Sequence, residues 1–143
     1  MIPWFPGGHA DAWNHVEAAM ALDIGGLRSE AERAYEWLVG LQRPDGAWHQ
    51  YYVTTDDGGV AVEQDKLDAN VCAYLACGVW HHFLRHKDAG FLEALWPTVE
   101  RAIDFVEHAN RCRIRQEWRE DQRDRGHRLL TARKQRQRLE PLA

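Results

Sequence analysis

Residues 29–48 read SEAERAYEWLVGLQRPDGAW, one amphipathic helix running into a fixed turn. Ser29 and Glu32 have capping-box spacing, a hydroxyl for one free amide of the first turn and a carboxylate reaching back to another. Ala31, Ala34, Tyr35, Leu38 and Leu41 follow at helical spacing, flanked by Trp37. Arg43-Pro44-Asp45-Gly46 stops the helix. Proline disfavours helical geometry at the residue before it, and glycine takes a positive φ without steric cost. In Gln42-x3-Gly46-x-Trp48 a side-chain amide can tie off free backbone groups at the helix end while an indole covers its side. Such a clip is a fastener and carries no chemistry.

Outward from this stretch, residues 1–8 are rich in proline and glycine and form an irregular lead-in, where Trp4 has no partner in view. Asp11 to Asp23 is a helix with small residues on one face, closed by Ile24-Gly25-Gly26 as a glycine C-cap. The short link to the helix from Ser29 to Gln42 makes an antiparallel helical hairpin. His49 to Gln64 is a loop or short hairpin. Asp65 to Arg85 is the most apolar helix. Asp88 can cap a fourth helix, which Pro97 kinks or restarts. An internal repeat runs through this order: AERAYEWL at 31–38 aligns with VERAIDFV at 99–106, and DAWNHVEAAMA at 11–21 aligns more weakly with DANVCAYLACG at 68–78.

The chain of 143 residues is long enough for one modest core, with seven tryptophans and a net charge of −4. That charge is uneven: residues 1–110 carry −10 and residues 111–143 carry +6. A body this acidic argues against nucleic acid and anionic membranes as partners. No apolar run is long enough to span a bilayer. The first residues have neither the basic n-region nor the apolar h-region of a secretory leader. Cys72, Cys77 and Cys112 are an odd set without a CxxC pattern. They suit reduced thiols, the first two as small buried apolar residues, and a cytoplasmic setting.

The Gln42-x3-Gly46-x-Trp48 turn resembles the Gln-Trp repeat of squalene–hopene cyclases and related α/α toroids. Over residues 3–108 the order of segments looks like actinobacterial proteins described as prenyltransferases or squalene-cyclase-like, whose expected fold is the six-hairpin toroid also seen in glucoamylase-type glycosidases. The resemblance implies an all-α fold in which residues 1–110 hold two helical hairpins of an incomplete (α/α)6 toroid. Residues 111–143, with ten arginines and no apolar periodicity, form a basic tail. There the next glycine-tryptophan turn is missing, and the tail reads either as a disordered or loosely helical extension or as an out-of-frame product.

In such a toroid, inner helix ends and the loops before them line a central cavity. The first loop and helix offer His9, Asp11, Trp13, Asn14, His15 and Glu17; the second offer Glu63, Gln64, Asp65, Asp68 and Asn70. Asp11, Glu17, Glu63 and Asp68 are the candidate catalytic carboxylates, since burial can separate the pKa values of an acid and a base. His9, Trp13, Asn14, His15, Asp65 and Asn70 are candidates for holding substrate. A glycosidase pair must stand about 5–10 Å apart, which spacing in sequence does not reveal. The alternative for Asp11 and Asp65 is helix capping, and for Glu17 and Asp68 solvation.

Prenyl-transfer signatures are absent: there is no DxDD or DDxxD, and Asp56-Asp57 precedes Gly-Gly as turn chemistry. His81, His82 and His86 lie in HHFLRH, without the Glu of HExxH, and read as helix-end histidines; neither metal nor cofactor is expected. The expected function is therefore a toroid enzyme, prenyltransferase-like or glycosidase-like. An acidic, tryptophan-bearing funnel favours carbohydrate or another polar small molecule over isoprenoid. The alternative is a non-catalytic helical module or inactive remnant that self-associates through open hairpin edges.

Overall fold

The computed structural model describes the backbone of residues 1–139, with side chains through residue 113 and at 116. Its elements in order are α1 (Ala12–Ile24), α2 (Arg28–Leu41), β1 (His49–Thr54), β2 (Val60–Leu67), α3 (Ala69–His86) and α4 (Ala89–Leu139). The fold is all-α with one small two-stranded antiparallel sheet. Met1–Glu107 forms one compact unit, and the residues from His108 onward form a second. The expected disordered or out-of-frame tail at 111–143 falls largely outside the described side chains.

Asp11 and Asp68, matched in the weaker sequence repeat, occupy the same structural position. Each is an N-cap, with Oδ1 accepting from Asn14 N at 2.8 Å and from Asn70 N at 2.8 Å. The capping box expected at Ser29 and Glu32 does not form. Gly26, at φ +83°, lets Leu27 N–H return to Leu22 O at 2.9 Å, so α2 starts at Arg28 with no side-chain cap. Glu32 instead accepts from Arg28 Nε at 2.6 Å. The region read as a loop or short hairpin is a hairpin longer than expected, because β2 takes Val60–Leu67 and pairs Leu67 with His49; α3 therefore begins at Ala69 rather than Asp65. Asp88 caps α4 as expected, Oδ1 accepting from Phe91 N at 2.9 Å, while α4 runs through Pro97 without restarting.

The core lies where α1 packs on α2 and α3. Val16, Tyr35, Leu38, Trp48, Leu75 and Val79 are buried together there. Gly78 permits the close approach: a Cβ at that point would lie 2.4 Å from Val16 Cγ1 and 2.8 Å from the Tyr35 hydroxyl. Cys72 is buried as a small core residue, whereas Cys77 is exposed on the opposite side of α3, because five residues turn a helix well past one face. The hairpin is tied to the lead-in by two bonds, Ala10 N to Tyr52 O at 2.8 Å and Tyr52 N to Ala10 O at 2.9 Å.

The turn after α2 is the clip that its sequence suggests, with longer reach. Gln42 Nε2 donates to Gly46 O at 3.0 Å and to Thr98 O at 2.8 Å in α4, and Gln42 Oε1 accepts from Arg101 Nε at 2.9 Å. Trp48 is fully buried and its indole donates to Leu38 O at 2.8 Å. Gly46, at φ +87°, sits directly beneath α4, where a Cβ would stand 2.0 Å from Arg101 O. Gly46→Ala should therefore cost at least about 2 kcal/mol, strain and collision together. Gly58→Ala, at φ +81° with open space around it, should cost about 1 kcal/mol from strain alone. Urea unfolding of the two variants checks the difference.

Candidate functional site

A shallow hollow of about 130 Å³ is bordered by Trp4, Asp11, Trp13 and Asn14 from the lead-in and α1, Gln50 and Tyr51 from β1, and Val71 from α3; Glu63, Gln64, Asp65, Asp68 and Asn70 are not on its border. Asp11 anchors its floor. With Oδ1 used as the helix cap, Oδ2 accepts from the Trp4 indole at 2.6 Å and from Asn14 Nδ2 at 2.9 Å. Trp4, which has no evident partner in the sequence, thus ties the lead-in to the start of α1. The buried carboxylate has four lone-pair sites, and these donors engage both oxygens.

Beside the hollow, Trp13 stacks on Tyr74 with centroids 4.6 Å apart and planes 11° from parallel. Both rings donate to one oxygen of Glu17: Trp13 Nε1 at 2.9 Å and the Tyr74 hydroxyl at 3.1 Å. The bond to Glu17 raises the Tyr74 pKa, since losing the phenolic proton would set two anions together. Trp13 and Glu17 are one helical turn apart on α1, so their pairing follows from spacing; Tyr74 arrives from α3.

On the other border, His9 Nδ1 lies 3.1 Å from Glu63 Oε2, and the His9 ring stacks on Tyr51 at 4.1 Å. This joins the lead-in to both strands of the hairpin. The remaining candidates do not gather here. Asp68 is used as the α3 cap, and Asp65 and Asn70 are exposed. The Asp65 contribution is its backbone carbonyl, 3.2 Å from His49 Nδ1. His15 faces α2: its Nε2–H donates to Ala34 O at 3.0 Å while Nδ1 accepts from Ile2 N at 3.2 Å. Tyr51, Tyr74, Trp4 and Gln50 border the site without having been singled out in the sequence. The strand propensity of Tyr51-Tyr52 was the one available signal, and alternation along β1 sends Tyr52 into the core and leaves Tyr51 toward His9.

No protein-family model matches the chain. Over 105 residues, 73% of this chain, it is 50% identical to the MMP endo-(1,4)-3-O-methyl-alpha-D-mannosidase of Mycolicibacterium hassiacum. It is 29% identical over 89 residues to an uncharacterized glycosyl hydrolase of Methanocaldococcus jannaschii. The chain spans only 28% of the first relative and 14% of the second. Both names support the glycosidase-like side of the sequence resemblance, and neither supports its prenyltransferase side. No helix among the described residues is long and apolar enough to cross a membrane.

His15 also makes a testable statement about pH. Burial pushes its pKa from 6.5 down to about 4, because the charged ring would lose its water. The folded pKa is below the unfolded one, so the unfolded chain takes up the proton first, and this contribution to stability is intact above pH 6.5 and lost as pH falls toward 4. The loss should approach about 3 kcal/mol. Urea unfolding at a series of pH values should show this decline in the parent, and His15→Asn should flatten that part of it.

Proposed function

We propose that the hollow between α1, the hairpin and α3 is a carbohydrate-binding part of a glycosidase-like active site. The observation that carries the reading is the Trp13–Tyr74 pair with Glu17 beneath both donors. A rigid aromatic face beside a carboxylate suits a sugar ring, which offers C–H groups to the face and hydroxyls to the acceptor. An O-methylated mannoside, the class in the name of the M. hassiacum relative, would add methyl groups to that apolar contact. Within this reading Glu17 is the first candidate for proton transfer to a glycosidic oxygen. Glu63, coupled to His9, is the second candidate. Asp11 and Asp68 hold helix starts, and Asp11 additionally orients the Trp4 border.

The test is a titration of the full chain with 1,4-linked 3-O-methylmannose oligosaccharides, followed by tryptophan fluorescence, beside a prenyl diphosphate with magnesium. Saturable oligosaccharide binding, weakened about tenfold in Trp13→Ala, is expected. Release of reducing ends should drop at least about 100-fold in Glu17→Gln. Magnesium-dependent binding of the diphosphate in place of the sugar would sink the reading.

A second reading rests on α4. Trp96, Val99 and Ile103 border an open hollow of about 420 Å³, with Glu100 and Asp104 at its rim. Trp96 and Ile103 are exposed there, and contiguous apolar surface of this kind favours association. We propose that a second copy covers this strip. Sedimentation velocity should show a dimer in the parent and a monomer in Trp96→Glu; a parent that stays monomeric at high concentration rejects it.

A further inference from the structure

Away from the hollow, a second set of polar side chains converges at the far ends of α1 and α3. Asp23 closes α1, and its side chain is fully buried. His82 and His86 stand one turn apart at the end of α3, with His82 fully buried and His86 partly so. His86 Nε2 lies 2.5 Å from Asp23 Oδ1, and His82 Nδ1 lies 3.3 Å from Asp23 Oδ2. Ligand atoms of all three groups fall within 4.8 Å of one another.

Direct pairing leaves this cluster incomplete. Asp23 Oδ2, His82 Nδ1 and His81 Nδ1 are buried without a hydrogen-bond partner, as is His82 Nε2 on the side of the ring that faces Glu32. Leaving such an atom unpaired is costly, so several in one place call for a bound group. Arg85 does not do so: its Nε donates to the Asp23 backbone carbonyl at 3.1 Å and stands 3.8 Å from Oδ1.

We propose that Asp23, His82 and His86 form a structural site for a divalent cation of the zinc class, joining the C-terminal ends of α1 and α3. Two imidazoles and one carboxylate are the donor types this class prefers, and tetrahedral ligation at about 2.0–2.1 Å sets neighbouring donors about 3.3 Å apart. The separation of 3.3 Å between Asp23 Oδ2 and His82 Nδ1 already has that value, whereas the His86 Nε2–Asp23 Oδ1 contact of 2.5 Å is a direct hydrogen bond that must lengthen to admit the ion. His81 Nδ1 lies 3.7 Å from Asp23 Oδ2 but outside the three-residue ligand set, which leaves the fourth position to solvent. With the metal on His82 Nδ1, the proton must sit on Nε2, which faces Glu32 Oε1 at 3.4 Å. A carboxylate behind a ligating histidine is the common outer-shell arrangement; here Arg28 holds Glu32 in place. The carbonyl ends of two helices add a field that favours a cation.

The test uses the full chain carrying Cys112→Ser, which removes an exposed thiol 3.5 Å from His108 Nε2 as a rival site. After chelator treatment and desalting, zinc is added and the retained metal measured per chain, with cobalt as the spectroscopic probe. One equivalent retained, a tetrahedral cobalt spectrum and a raised Tm are expected. His86→Ala should weaken cobalt binding by at least about tenfold. If that variant loses its helical circular dichroism, Glu32→Gln, outside the ligand set, should weaken binding about 10- to 100-fold. A folded parent that retains no stoichiometric metal overturns the proposal, as does parent-like binding in both folded variants.

Discussion

The side-chain amide of Gln42 is the contact on which the arrangement of helices depends. It is one residue beyond α2, yet it bonds the turn behind it, a carbonyl of α4 and the guanidinium of Arg101. Carbonyls at the end of a helix lack intrahelical partners, and a buried end without substitutes is costly. The clip settles that requirement and brings a second helix with it. Because Gly46 has no side chain, the turn can lie against the Arg101 backbone; because Trp48 fills the space beneath, the turn cannot close differently. The clip fixes where α2 ends and where α4 lies along it.

The opposite ends of α1 have opposite characters. At its start, Asp11 accepts from three donors across its two oxygens, one short of its four lone-pair sites, while Glu17 lies six residues further along the helix. At its end, Asp23 meets three histidines and an arginine across α3. An acidic helix start and a cation-seeking helix end both agree with the backbone dipole. One helix thus carries an aromatic and carboxylate surface toward its start and a buried Asp–His cluster at its end.

The histidines show how burial divides one residue type into different roles. His15 is kept neutral between two backbone groups, and burial also lowers the pKa of His82. His9, at the hollow, stacks on Tyr51 and pairs with a partly exposed carboxylate. In the sequence His9 and His15 look alike, since both flank the same acidic and aromatic run. Their difference comes from α2, which covers one side of α1 and leaves the other to the hairpin.

Helical periodicity, the proline–glycine stop and the Asp11 and Asp88 caps were legible in the sequence because each is a contact within about one turn of chain; the α3 cap was not, since Asp65 was expected there and β2 runs on through Leu67, leaving the cap to Asp68. The hydrogen bond from Trp13 Nε1 to Glu17, one turn along α1, is a contact of the same local kind. Contacts across long separations were not legible: Trp4 to Asp11 crosses a loop, Glu17 to Tyr74 spans 57 residues, and Asp23 to His86 spans 63. The Ser29–Glu32 capping box failed for a related reason. Its spacing is right, but Gly26 shortens the link between helices, and Arg28 and His82 compete for the carboxylate. By itself the sequence determined that four helical segments follow in this order and where α1, α2 and α3 stop, since those stops depend on neighbours along the chain. Only the tertiary structure decided which carboxylates cap helices, which face the hollow and which meet histidines, because burial and partners from distant helices set each one's free hydrogen-bonding capacity.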